Sequence, residues 1–68
     1  MDIAAYLKKH SLTQKQFADK IGCTQGAVSQ WLLGAQPSAE RAVEIEKKTD
    51  GQIQRHELRP DLFAKQAA

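Results

Sequence analysis

Gln25, Ser29 and Gln30 carry side chains that both donate and accept hydrogen bonds, and at this spacing a helix would present all three on one face. The chemistry open to such a set is recognition of base edges. A glutamine can form a bidentate pair with adenine N6 and N7, and a serine can pair with several bases. The bland alternative is a solvated polar face that touches nothing. Gln14, Thr24, Lys15 and Lys8 suit a different target, the phosphate oxygens of a nucleic-acid backbone, together with backbone N–H groups at helix N-termini.

Catalytic chemistry has no comparable foothold. The chain offers no nucleophile with a base in a recognisable frame, no paired carboxylates and no glycine-rich phosphate loop, so no catalytic or cofactor-binding residue is assigned and no cofactor is expected. Cys23 is the single cysteine, and His10 and His56 are the only two histidines. They make no metal-ligand set, so no metal is expected. Both imidazoles read as surface groups, and Cys23 as a small hydrophobe without a basic cluster to make it a reactive thiolate.

The elements that must position these residues are short helices. Asp2 is a candidate N-cap for a first helix through Ile3, Tyr6 and Leu7 to the basic end Lys8, Lys9, His10, where cations complement the helix dipole. Thr13 and Gln16 form a capping box that opens a second helix, apolar at Phe17, Ala18 and Ile21 and stopped by Gly22. Thr24 caps a third, from about Thr24 to Leu33, with Val28, Trp31 and Leu32 inward and Gln25, Gly26, Ser29 and Gln30 outward. Ser38 caps a fourth with Ala42, Val43 and Ile45 inward and Gly51 as terminator. Gly51 to Gln54 is β-friendly but too short to decide anything, and Arg55 to Leu58 fits one further turn before Pro60. Trp31 is either a stacking platform for single-stranded bases or, by its spacing from Val28, a core residue; the spacing favours the core.

Phe17, Ala18, Ile21, Gly22, Val28 and Trp31 together describe a tight corner. Ala18 is small where two helices pass close, and Gly22 can take a positive φ without a Cβ penalty. A corner of about 90–120° leaves the second helix protruding with its polar side free, at a diameter that enters a major groove. The totals agree. A chain of 68 residues holds one domain, and its 41% hydrophobic and 26% charged composition is that of an ordinary globule rather than a disordered or fibrous chain. Net charge is +2, and all of the excess lies in residues 1–36, with four Lys against two Asp, which suits a polyanionic partner. No apolar stretch approaches a membrane span, so the expectation is a protein neither secreted nor embedded, in a reducing cytoplasm.

The run QKQFADKIGCTQGAVSQWLL, residues 14–33, resembles the helix-turn-helix unit of the phage Cro and repressor family, whose small, glycine and apolar positions are matched at Ala18, Gly22, Val28 and Trp31. The flanking PSAERAVEIEKKTDG and RHELRPDLF further resemble the YdaS-type Cro-like proteins of prophages. The resemblance implies an all-α, lambda-repressor-like bundle of four to five short helices. It also implies base reading by Gln25, Ser29 and Gln30 and phosphate contacts at Gln14 and Thr24. Gly26 departs from the family, which often has a polar reader there.

The expected function is a Cro-type regulator, with double-stranded operator DNA as partner and a homodimer at least on DNA. The competing class is an antitoxin-like module docking a small protein partner through its apolar tail. Residues 53–68 form that tail, where Leu58, Leu62 and Phe63 are either core or a dimer contact. Arg55, His56 and Arg59 either touch the DNA backbone or pair with Glu57 and Asp61.

Overall fold

Each of the first four helices begins at a side chain that satisfies an orphan backbone donor. In the computed structural model, which describes residues 1–63, Asp2 Oδ1 accepts from the Ala5 N–H at 2.8 Å and opens α1 (Ile3–His10). Thr13 Oγ1 accepts from the Gln16 N–H at 3.1 Å while Gln16 Oε1 accepts from the Thr13 N–H at 2.9 Å, the expected capping box at the start of α2 (Gln14–Ile21). Thr24 Oγ1 accepts from the Ala27 N–H at 3.1 Å and opens α3 (Gln25–Leu32); Ser38 Oγ accepts from the Arg41 N–H at 3.2 Å and opens α4 (Ala39–Lys48). One further turn, α5 (Arg55–Leu58), follows the loop after α4. The described residues contain these five helices and no strand, so the fold is an all-α bundle with α2 and α3 in helix-turn-helix order.

The core forms where the apolar stripes of these helices meet. Phe17, Val28, Ile45 and Ile53 are wholly buried, with Ile3, Tyr6, Ala18 and Ile21 around them. The Tyr6 and Phe17 rings meet edge to face with centroids 5.7 Å apart, a favoured geometry for an aromatic pair. Two inward residues are less buried than their spacing predicts. Trp31 and Val43 are only half-buried, Trp31 lying against the core from its edge beside a groove shared with Leu32, Pro37, Leu58 and Pro60.

Ile53 enters the core from the segment that periodicity left undecided. Thr49 explains how. Its hydroxyl donates to the Ile45 carbonyl at 2.7 Å and accepts from the Ile53 N–H at 3.2 Å, so a buried polar side chain clips the loop onto the last turn of α4. Thr49→Val preserves the shape and leaves the Ile53 N–H without its partner. The expected cost is about 1–3 kcal/mol, read as a melting temperature lower by roughly 4–8 °C per kcal/mol in thermal unfolding.

The C-terminal part of the described chain is held by ion pairs. Arg55 donates through Nε and its backbone N–H to the two oxygens of Glu46, at 2.8 and 3.1 Å, and the hydrogen bond from its guanidinium holds the Glu46 carboxyl below its ordinary pKa. Arg59 grips Asp61 with two N–H groups, at 2.9 and 2.7 Å, and donates a third to the Pro37 carbonyl at 2.9 Å. Sequence proximity correctly pairs Arg59 with Asp61. It does not pair Arg55 with Glu57, whose carboxylate instead meets the α-amino group of Met1. Of the tail 53–68, residues 64–68 lie outside the described residues.

Candidate nucleic-acid interface

The corner between α2 and α3 is built on Ala18 and Gly22. Ala18 is 2% exposed, and its carbonyl accepts from the N–H groups of both Gly22 and Cys23, at 2.8 and 2.9 Å, closing the end of α2. Gly22 has φ +88°, while a Cβ placed on it would meet nothing within 4 Å. Backbone conformation, and not space, therefore calls for glycine here. Cys23 sits half-buried in the same turn. Burial pushes its thiol up, partly offset by Arg41 and reinforced by Glu44, so it stays neutral and acts as a packing group.

From this corner α3 emerges with a divided surface. Val28 is wholly buried, Leu32 and Trp31 are half-buried, and Gln25, Gly26 and Gln30 are exposed. Gly26 lies in helix with its nearest neighbour to an added Cβ, Thr24 Oγ1, at 3.9 Å, so a side chain would fit where the chain has none. Leu33, the residue after the helix, is 89% exposed.

The four residues assigned to phosphate fall into two groups. Gln14 is the first residue of α2 and Thr24 the cap of α3, so each lies at a helix N-terminus where the first backbone N–H groups have no intrahelical partner. Gln14 reaches across to α3, where its Oε1 accepts a hydrogen bond from the Ser29 hydroxyl, both side chains being half-buried. Nothing in the spacing of fifteen residues announces this pair. Lys15, beside Gln14, is exposed and forms no ion pair among the described residues; Lys8 is exposed in the last turn of α1, and no hydrogen bond or ion pair links it to α2 or α3.

The structure separates the three apolar residues of the tail. Leu58 packs against the core, Phe63 is half-buried with the Arg55 guanidinium 5.5 Å from its ring centroid, and Leu62 is 51% exposed. The two arginines of this region are engaged in the ion pairs already described. The His10 ring lies tilted against Tyr6 with centroids 4.3 Å apart and shares a 2.9 Å hydrogen bond with Gln52 Oε1. No described helix is long and apolar enough to cross a membrane.

A family model described as bacterial toxin YdaS matches residues 13–67, which takes in α2, α3, α4 and α5. Neither the curated proteins nor the solved structures contain a match.

Proposed function

Since this chain belongs to the family described as bacterial toxin YdaS, we propose that it is a small Cro-like regulator that binds double-stranded operator DNA by laying α3 in the major groove. One observation carries the reading. The apolar stripe of α3 faces the core through Val28 and leaves Gln25 and Gln30 exposed, behind a glycine-hinged corner. These two glutamines are the residues proposed to read bases, with Ser29 on the same face. Gln14, Thr24 and the free N–H groups of the two helix N-termini fix the register on phosphates, while Lys15 and Lys8 add screened attraction.

The described residues span 33 × 21 × 18 Å and hold one such helix. Reading two half-sites about 34–36 Å apart therefore takes a second copy, and the proposed active form on DNA is a homodimer that represses by occupying its operator in the bacterial cytoplasm. Leu62, the most exposed of the three apolar side chains Leu58, Leu62 and Phe63, is the candidate dimer contact together with the other two.

The test is a selection of random duplexes by the purified protein, read by sequencing. An enriched motif supports the reading, and a palindromic one supports two copies; recovery of duplexes without any shared motif counts against it. Lys15→Ala is expected to weaken binding to enriched and scrambled duplexes alike and to lower the salt slope of log K by about one charge, measured by titration at several ionic strengths.

The toxin wording of the family description favours a second reading, a toxin–antitoxin-related module that docks a small protein partner through the apolar tail. Native mass spectrometry of the protein from its source cell, showing a stable heterocomplex without DNA that Leu62→Asp dissolves, is the result this reading expects.

A further inference from the structure

Ser29 is the one polar side chain on the outer side of α3 that already has a partner. Its hydroxyl donates to Gln14 Oε1, and this is the only side-chain hydrogen bond joining α2 to α3 among the described residues. A serine hydroxyl has a single proton, so the donor that would mark a base edge is engaged inside the protein. The consequence for Gln14 is directional. With Oε1 held by Ser29, the group that Gln14 has left for a ligand is its amide NH2, carried by the first residue of α2, where the N–H groups of Gln14 and Lys15 precede the first intrahelical bond.

We propose that Ser29 is a positioning residue, which holds the Gln14 amide ready to clamp a DNA phosphate and leaves the choice of sequence to Gln25 and Gln30. The inference rests on the DNA-binding reading and deepens it. A free glutamine loses rotamer freedom when it grips a phosphate; one fixed before the duplex arrives loses less, which strengthens binding without a new contact. Phosphate contacts set register and carry no sequence information, and a neutral amide displaces no counterion. Ser29 therefore acts on affinity for every duplex, on neither sequence preference nor salt dependence. Since Gly26 offers no side chain, the reading surface of α3 narrows to two glutamines.

The experiment is a double-mutant cycle on the full chain, titrated with an enriched duplex and a scrambled one. Ser29→Ala is expected to weaken binding to both by about three- to tenfold, with their ratio and the salt slope unchanged. In a Gln14→Ala background the same substitution is expected to have no further effect, whereas with Gln14 present Ser29→Thr, which keeps the hydroxyl, is expected to bind as the wild type does. A general loosening of α3 would persist without Gln14, so the coupling separates positioning from mere structure. Ser29→Ala that alters preference at one base pair, or adds in full to Gln14→Ala, or changes nothing, overturns the inference while wild-type binding stands. Failure of the wild type to bind any duplex overturns the DNA reading and the inference with it.

Discussion

Phe17→Ala is expected to remove a large part of the chain's stability. The ring is wholly buried, lies on α2 and packs edge to face against Tyr6 of α1, so its removal opens a cavity at the junction that sets the angle of the helix-turn-helix. Truncating a buried phenylalanine costs about 3–5 kcal/mol. A domain of 68 residues has a total stability of only about 3–10 kcal/mol, so the loss takes from about a third to all of the margin. Urea titration followed by circular dichroism measures it. The expected result is a midpoint at much lower denaturant than the wild type's; a cooperative transition at the wild-type midpoint would show that the core is not organised around this residue.

The second large effect falls on specificity and leaves stability alone. Gln25→Ala and Gln30→Ala remove exposed side chains, which changes folding by about 0.5 kcal/mol or less. Each bidentate contact of a glutamine with adenine is worth about 1–3 kcal/mol of discrimination, so each substitution is expected to reduce the preference for the enriched duplex over a scrambled one by about 5- to 150-fold. Affinity for scrambled duplex is expected to stay near wild type, because phosphate contacts supply it. Competition binding with the two duplexes measures the ratio. Unchanged ratios in both variants would remove these glutamines from the reading role.

Much of this architecture was legible in the residues because each helix start carries its own local signal. Asp2, Thr13, Thr24 and Ser38 cap the helices they were expected to cap, and Gly22 takes the left-handed conformation that the turn needs. These are interactions between positions three or four apart, and a linear pattern records them. Three features were not legible. Ile53 reaches the core because Thr49 clips its loop to α4, and a threonine in a loop gives no sign of whether its hydroxyl is buried. Arg55 pairs with Glu46 across two helices although Glu57 is nearer along the chain, because α5 packs on α4. Trp31 keeps the apolar spacing of a core residue yet lies half-buried, packed against the core on one side and lining a groove on the other.

The candidate site divides along the same line. The exposed position of Gln25 and Gln30 follows from helical periodicity once Val28 is inward. The bond between Ser29 and Gln14 is tertiary, set by the angle at which α2 meets α3, and it changes what Ser29 has left to offer a ligand. The tail shows the limit of composition as a guide. Leu58, Leu62 and Phe63 look equivalent in the sequence, but one is packed inward, one exposed and one partly covered by Arg55.

The central claim is that α3 is the surface that meets DNA, and the most direct test is a map of amide chemical-shift changes as an enriched duplex is added to labelled protein. The largest changes are expected at Gln14, Lys15 and Gln25 to Gln30, with small ones along α4. Changes confined to the tail around Leu62, with α3 unmoved, would contradict it.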